Sequence, residues 1–385
     1  MRGWRALGLV WAAVFAVLAG GAGVLQWLGP PRAHPAAQVA ALHPPPPSPP
    51  PAPLAHPTRP QPAATVAAAP RSAAPPAAPR GPQPPPAVPA AVAGPMPSLL
   101  TPLQGHPGRF LPRIGPDGTA PMAAYAAAFN PAERGPRVGL LLAGVGLDRA
   151  ASLAAIAALP GAVSLAVSPY AARLGPVLKA ARAAGHEFLI SLPMEPSRYP
   201  LNDPGPKALL TGNTSRQNQA VLDWVLSRVQ GYVGVTGALG LTSGSRFAAD
   251  GEDFHPILRR LAAMGLLYLD PRPGAARLPA AWGRAVDVVI DRPADPASIA
   301  AALTRLDRLA RQRGSALGLV QAVRPRTIAL LEAWVHGLAA KGLVLTPASA
   351  LALPPPAPPP APSPAPSPAP LAAASPPAPA ASAAK

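Results

Sequence analysis

The sequence predicts an α/β fold, a distorted (β/α) barrel of seven or eight strands, within residues 136–353. One observation is a repeated alternation of short apolar runs with amphipathic stretches, which indicates parallel strands joined by helices. Another is that most runs are five or six residues long and nearly continuously apolar, as expected for strands covered on both faces. A third is proline: of 62 prolines, 31 precede residue 136 and 14 follow residue 353, and proline disfavours helix interiors and central strands. An open doubly wound sheet is the alternative.

The elements follow from these patterns in chain order. Helix ends are marked by Asp295-Pro296 before one amphipathic stretch and by Gly185, Gly265 and Gly314 after three others. The predicted strands are 138–142, 163–168, 187–192, 232–236, 266–270, 286–290, 317–321 and 343–346, and the predicted helices are 148–158, 171–184, 215–229, 253–264, 296–313 and 325–340.

The first 28 residues predict a membrane anchor. Residues 6–28 carry no charge and are long enough to cross the hydrocarbon core, and they follow Arg2 and Arg5. Basic residues before such a segment favour a cytoplasmic N-terminus. A cleaved signal peptide is the alternative, because small residues at 19–22 would suit a peptidase. Both interpretations export the rest of the chain, and we expect an inner-membrane protein with its globular domain in the periplasm.

The flanks of the domain are rich in proline and alanine. Residues 29–110 predict a disordered, semi-rigid tether, and residues 354–385 a disordered tail of the same chemistry. Residues 111–135 are more varied in sequence, and we expect an ordered lead-in that packs on the domain at 136–353.

Charge and composition limit the classes of partner. The net charge of +17 is divided almost evenly between domain and flanks, and it is not concentrated with aromatic residues, so we predict no nucleic-acid partner. The cations on helix-like segments are interpreted as solvated faces, with attraction to anionic envelope material as the alternative. The chain has no cysteine, which excludes disulfides and thiolate metal sites.

Chemistry is expected where the predicted strands end, because ligands of such folds bind at the carboxyl ends of the strands. These ends carry three carboxylates, Glu195, Asp270 and Asp291, and no histidine. The Asp270/Asp291 pair could supply an acid and a base, although strand-end capping and salt bridges to Arg272 and Arg292 explain them at least as well. Gly144-Val-Gly146 lacks the third glycine of a dinucleotide fingerprint. We therefore predict neither a metal nor a cofactor.

Several segments resemble one family in their residues and in their order along the chain. They are 185–196, 199–206, 209–212, 231–235, 244–247, 267–270 and 313–316. This set is similar to the divergent polysaccharide deacetylases, a branch of the carbohydrate-deacetylase barrels, from about Arg137 to Leu351. The resemblance implies a deacetylase fold and a carbohydrate setting.

The resemblance also shows what this chain lacks. The family's first strand is expected to end in two aspartates, where this sequence has Ala143-Gly144. Its fourth strand is expected to end in Asn-Asn-His, where 236–238 reads Thr-Gly-Ala, and its late Gly-His-Pro motif falls on 321–323, Gln-Ala-Val. Of the motif's polar positions, Glu195 and Asp270 remain. The resemblance thus implies the fold, while these residues argue against metal-dependent deacetylation.

Three functions are compatible with these patterns. The first is a catalytically degenerate domain that binds a polysaccharide or cell-wall glycan, with Glu195, Arg246, Asp270 and Arg272 as substrate-binding residues. The second is an active polysaccharide deacetylase-type hydrolase, for which Glu195 and Asp270 are the catalytic candidates. The third is a scaffold that spans the periplasm to contact a protein partner that the sequence does not identify.

Overall fold

The computed structural model describes residues 90–356 of the 385-residue chain. The predicted anchor at 6–28, the predicted tether up to residue 89 and the predicted tail from residue 357 lie outside the described residues. Among the helices of residues 90–356, none has the length and apolar character needed to cross a bilayer.

Eleven strands and eight α-helices are found between residues 90 and 356. The strands are β1 (Leu100–Pro102), β2 (Phe110–Pro112), β3 (Arg137–Val145), β4 (Ser164–Val167), β5 (Phe188–Ser191), β6 (Gly234–Thr236), β7 (Leu267–Asp270), β8 (Gly283–Ala285), β9 (Val288–Val289), β10 (Ser315–Val320) and β11 (Val344–Leu345). The helices are α1 (Pro121–Ala124), α2 (Arg149–Ala158), α3 (Gly175–Ala183), α4 (Ser215–Leu226), α5 (Ser245–Ala249), α6 (Gly251–Ala263), α7 (Pro296–Arg313) and α8 (Pro325–His336).

The main sheet is parallel throughout, as the alternation of strands and helices predicts. Its strand order is β8-β7-β6-β5-β4-β3-β10-β9, and β11 lies off this path against Arg137 and Val138 of β3. The eight strands curl into a half-barrel with the helices outside. The predicted last strand at 343–346 is therefore a two-residue addition at the start of β3 and not a full member of the path.

One stretch of chain occupies both edges of this half-barrel. β8 pairs with β7 and β9 pairs with β10, and only two residues separate β8 from β9. Between them, the Asp287 carboxylate accepts the Leu317 N–H at 2.8 Å, where a strand carbonyl would otherwise act, and binds Arg284 at 2.6 Å. The single strand predicted at 286–290 is thus wrong in detail, because its pairing changes from β7 to β10 part-way along.

Side chains of the sheet alternate between two apolar clusters, as the geometry of a strand requires. Leu140 and Leu142 of β3 belong to the outer cluster, which is shared with the helices, whereas Leu141 and Ala143 belong to the inner cluster. Helix residues of the outer cluster are Ile156, Leu178, Leu222, Leu258, Leu303 and Leu331. Inner residues from the other strands include Ala166, Leu189, Leu269, Leu317 and Leu319. This double burial explains why the strands are apolar on both faces.

Side-chain caps fix where four of the helices begin. Asp148, Asp250 and Asp295 each accept backbone N–H groups of the first turns of α2, α6 and α7. Thr214 and Gln217 form a reciprocal capping box at α4. These caps satisfy amide groups that have no partner within the helix. They also fix the loops that run from the strand ends into the helices.

The ordered chain begins before the predicted end of the tether. A 3-10 turn at Pro97–Leu99 leads into the antiparallel pair β1 and β2, so the boundary predicted at residue 110 is wrong. The physical reason is that isolated apolar side chains in this proline-rich stretch find partners. Leu99 and Leu111 are 1% and 7% exposed, and Leu99 belongs to the inner cluster.

The amino-terminal end of the half-barrel holds a buried carboxylate, Glu187. Its oxygens accept the Ser164 hydroxyl at 2.6 Å, the Ser349 N–H at 3.0 Å and the Ala127 N–H at 3.1 Å, together with the Ser349 hydroxyl. The Ser164 hydroxyl in turn accepts the Ala348 N–H at 2.8 Å. One side chain therefore joins the lead-in before β3, the strand β4 and the turn after β11.

Glu187→Ala should destabilise the fold strongly. The substitution leaves buried donors without an acceptor, and we expect the free energy of unfolding to fall by about 3 kcal/mol or more. The measurement is urea unfolding of the full chain followed by circular dichroism. Glu133→Ala is the matched control, because Glu133 is exposed and its loss should change stability by less than about 0.5 kcal/mol. Equal effects of the two substitutions would contradict this role for Glu187.

Candidate functional site

The carboxyl ends of the parallel strands form one rim of the half-barrel, called here the carboxyl rim. The side chains predicted to carry chemistry all lie in segments that follow these strand ends. Glu195 follows β5, Asp270 ends β7, Asp291 follows β9, and Gln321 follows β10. The four residues are each at most 3% exposed, so their hydrogen-bond partners determine what each can do.

Glu195 holds together two loops beside the rim. One carboxylate oxygen accepts the Thr211 N–H at 2.7 Å and the Thr211 hydroxyl at 2.8 Å, and the other binds Arg246 at 3.1 Å. The Glu195 carbonyl also accepts the N–H groups of Arg246 and Phe247 in the first turn of α5. The Arg246 side chain is 56% exposed, so the ion pair is screened by solvent. Glu195 thus positions the chain at 209–211 and at the start of α5.

Asp270 and Arg272 form a close local ion pair. Arg272 donates from Nε at 2.9 Å and from a terminal nitrogen at 2.7 Å, one to each carboxylate oxygen, and its backbone N–H adds a bond of 3.0 Å. The side-chain hydrogen bond to Asp270 raises the pKa of the Arg272 guanidinium against the effect of burial. Within residues 90–356, no hydrogen bond or ion pair joins Asp270 and Arg272 to Glu195 and Arg246.

Asp291 is engaged in the same manner. Its carboxylate accepts the backbone N–H groups of Gln321 and Ala322 at 2.8 and 3.1 Å and binds Arg324 at 3.1 Å. The carboxylate therefore fixes the chain as it leaves β10. Each of the three carboxylates at the strand ends is thus paired with an arginine, and each also accepts backbone N–H groups.

A cavity of about 310 Å³ opens at the carboxyl rim. It is lined by residues that follow β3, β4, β5 and β6, so four consecutive strands of the path contribute to it. Its chemically informative members are Ser168, Tyr170, Asp203 and Thr242, with Leu147 as an apolar wall. Leu147 is 60% exposed, which leaves apolar surface at the entrance.

Glycine permits the loop after β5 to pass over Tyr170. Gly205 has a φ of +100°, and a Cβ placed there would lie 2.7 Å from both Cζ and Oη of Tyr170. The Asp203 carboxylate accepts the Gly205 N–H at 2.8 Å, and the Tyr170 hydroxyl accepts the Lys207 N–H at 3.3 Å. Burial raises the pKa of the Tyr170 hydroxyl, and the nearby Asp203 charge raises it further. Tyr170 is therefore a neutral ring held against one wall of the cavity.

Comparison with known proteins supports the family resemblance found in the sequence. A family model described as "Divergent polysaccharide deacetylase" matches residues 140–352, more than half of the chain. The chain belongs to this family. The match runs from the first strand of the sheet to the turn after β11.

Two proteins are similar to this divergent polysaccharide deacetylase-like domain. The crystal structure of the uncharacterized protein ATU2773 from Agrobacterium tumefaciens C58 is 32% identical, with a TM-score of 0.58, and covers 63% of this chain and 99% of that one. The uncharacterized protein YibQ of Escherichia coli (strain K12) is 26% identical over 204 residues, 51% of this chain. The match spans 61% of the length of YibQ.

The positions at which the family resemblance implies metal ligands do not fit a metal here. Ala143 and Ala238 are fully buried in the inner cluster. Gln321 is buried with no partner for Oε1 within the described residues. Catalytic zinc is normally held by three histidine, carboxylate or thiolate ligands. In residues 90–356, no group of three or more such side chains is placed to hold a metal ion. His186 is buried elsewhere, with Nδ1 2.7 Å from the Val163 carbonyl oxygen.

The sequence located the rim but not the lining of its cavity. None of Glu195, Arg246, Asp270 and Arg272 lines the 310 Å³ cavity, and their role as binding residues stays a prediction. Asp203 lies in a long loop whose path is set by the pairing of Met194 with Leu209. The available signal was the pattern Asn-Asp-Pro-Gly-Pro at 202–206, because such residues form fixed turns.

Gly205→Ala should displace the loop that lines the cavity. The added Cβ would meet the Tyr170 ring. The position also has a positive φ, which alanine disfavours, so we expect the free energy of unfolding to fall by about 1–3 kcal/mol. Gly212→Ala is the control near the end of the same loop, because a Cβ there meets no atom within 4 Å. Thermal unfolding of the two variants checks this expectation. A Gly205→Ala variant as stable as the Gly212→Ala variant would contradict the close packing.

Proposed function

We propose that this domain binds a carbohydrate at the carboxyl rim without hydrolysing it. The observation that carries the proposal is the cavity of about 310 Å³ on the rim of a divergent polysaccharide deacetylase-like domain. Its volume is at the lower end of the range of about 300–1,000 Å³ found for small-molecule sites. One sugar unit of a longer glycan is therefore the expected occupant.

The lining supports a neutral polyhydroxylated ligand. Tyr170 offers an aromatic ring, Asp203 offers a carboxylate, and the Thr242 hydroxyl, which donates to the Leu239 carbonyl at 2.9 Å, can still accept a hydrogen bond. One oxygen of Asp203 accepts the Gly205 N–H, while the other has no hydrogen-bond partner within residues 90–356. A sugar hydroxyl can donate to that oxygen, and a charged acceptor gives stronger hydrogen bonds than a neutral one.

The engagement of the strand-end carboxylates argues against acid–base catalysis. A general acid or base must be within hydrogen-bond reach of the proton that it transfers. Glu195, Asp270 and Asp291 are each engaged by an arginine and by backbone N–H groups. The residues at the expected metal positions, Ala143 and Ala238, offer no ligand atom on their side chains. This arrangement is the reason for proposing a catalytically degenerate member of the family.

The setting proposed for this domain is the cell envelope. An apolar segment at 6–28 and a proline-rich tether would hold the domain on the periplasmic side of an inner membrane. A cell-wall glycan or another surface polysaccharide would then lie within reach of the carboxyl rim. Fractionation of cells that express the full chain tests this proposal, and recovery of the intact chain in the cytoplasmic fraction would contradict it.

Asp203→Ala should weaken glycan binding about tenfold or more, because a hydrogen bond to a charged acceptor is lost. The measurement is a glycan array with the full chain, followed by calorimetry with the retained sugar. Asp117→Ala is the matched control, since Asp117 is exposed in the lead-in and bonded locally to Thr119. An array that retains no sugar would contradict carbohydrate binding and favour the protein-partner alternative.

Metal analysis and acetate release separate this proposal from an active deacetylase. We expect the purified full chain to bind no stoichiometric zinc, cobalt or nickel, and to release no acetate from acetylated glycans. Stoichiometric metal together with acetate release would favour the hydrolase alternative. In that case Glu195→Ala and Asp270→Ala would be the first variants to test for lost turnover.

A further inference from the structure

A second cavity, lined in part by the loop after β4, contains three arginines. It has a volume of about 470 Å³ and lies between α3, the end of α4 and the residues before β2. Arg182 comes from the last turn of α3, Arg228 follows α4, and Arg109 immediately precedes β2. We call this cavity the arginine groove.

The arginine groove contains no acidic side chain. Its lining includes no Asp or Glu, and none of Arg109, Arg182 and Arg228 forms an ion pair within residues 90–356. The segments 1–89 and 357–385 also contain no Asp or Glu at all. The remaining side chains of this sequence therefore cannot supply the carboxylate that would neutralise the groove.

Two of the three guanidinium groups, those of Arg182 and Arg228, are held in place by neutral partners. Arg182 donates to the Gln230 carbonyl at 2.6 Å, and its guanidinium lies 4.9 Å from the centre of the Phe188 ring. Arg228 donates to the Pro169 carbonyl at 2.8 Å and lies 5.3 Å from the centre of the Trp224 ring. Carbonyls and aromatic rings orient the cations without cancelling their charge. The groove is thus a fixed arrangement of positive charge.

This arrangement is unfavourable for the protein alone. Burial lowers the pKa of the Arg182 guanidinium, and burial together with the like charge of Arg109 lowers the pKa of Arg228. The Arg182 Nε is also a buried donor without an acceptor among the described residues. A buried polar group without a partner generally indicates an ion or water that completes it. An anion in the groove would relieve the repulsion between the cations.

We propose that the arginine groove binds the phosphate group of a larger molecule. The planar guanidinium group matches phosphate oxygens through paired hydrogen bonds, and three such groups can surround one phosphate. The groove is larger than a single phosphate needs. An adjoining cavity of about 340 Å³ shares Arg109 and Ser227 with it and is lined by Leu103, Trp224 and Lys207. The rest of a phosphorylated ligand has space there.

The arginine groove is a different cavity from the one proposed to bind carbohydrate at the carboxyl rim. The arginine groove and the rim cavity share no lining residue. The Asp223 carboxylate, the acidic group of the adjoining cavity, is bound by Arg260 at 2.6 Å and so does not neutralise Arg109. Phosphate binding without glycan binding would therefore contradict only the carbohydrate proposal, and glycan binding without phosphate binding would contradict only the phosphate proposal.

Calorimetry with the full chain tests this site directly. The probes are inorganic phosphate and sn-glycerol 3-phosphate, which carries the headgroup chemistry of phospholipids and phosphoglycerol polymers. We expect saturable binding that weakens as sodium chloride is added, because salt screens the attraction. Tighter binding of glycerol 3-phosphate would support a phosphate carried by a larger molecule, such as a lipid or polymer, and equal binding of the two probes would contradict that part of the proposal. Absence of saturable binding by either probe at low salt would overturn the proposal.

Variants identify the groove as the place of binding. Arg109→Gln should weaken phosphate binding about tenfold, because one charged donor is lost. Within residues 90–356 the Arg109 side chain makes one hydrogen bond, to the Ser227 carbonyl at 3.5 Å, which is too long to matter for folding. Arg259→Gln removes the same charge from an exposed position on α6 and should leave binding unchanged. Arg182→Lys should also weaken binding while it keeps the charge. Equal losses in Arg109→Gln and Arg259→Gln would overturn the proposal.

Discussion

Glu187 is the side chain on which the assembly of the domain depends. Its buried carboxylate accepts hydrogen bonds from Ala127, in the lead-in before the main sheet, and from Ser349, in the turn that follows the last strand. Nothing local in the chain brings these segments together. Their contact is stabilised because a buried carboxylate without donors would be very costly. The donors of each segment would also be unsatisfied without this carboxylate. The amino-terminal end of the half-barrel is thereby fixed, and the carboxyl rim is left to the loops that carry function.

Much of the fold was predictable because its causes are local. A parallel strand covered on both faces is a short apolar run, and an Asp before proline is a strong signal for a helix start, as Asp295 shows at α7. The split between β8 and β9 was not predictable in the same way, because it depends on which neighbour each residue meets. The β1–β2 pair was not predicted either, because Leu99 and Leu111 are isolated among prolines in the sequence. Only their packing against the core shows that they belong to the fold.

The same distinction between local and long-range causes applies to the candidate sites. Glu195 and Asp270 could be located from the sequence because the ends of parallel strands share one edge. The partners of these carboxylates were harder to assign: Arg272 is two residues from Asp270, but Arg246 belongs to a helix that the sequence did not indicate. The arginine groove was beyond sequence reasoning, because Arg109, Arg182 and Arg228 are far apart in the chain. Packing of residues 95–109, which precede β2, against α3 and α4 creates it.

The placement of β8 and β9 at the two edges of one sheet limits how this domain can meet other proteins. A sheet with a long free edge can accept an added strand from a partner, and that edge is also where chains aggregate. Here one short stretch, residues 283–289, occupies both edges. Asp287 and Leu353 form hydrogen bonds with backbone groups that would otherwise have no partner. Recruitment by strand addition is therefore disfavoured in the main sheet. A protein partner would have to recognise the helices, the loops of the rim or the lead-in, where side chains rather than backbone set the specificity.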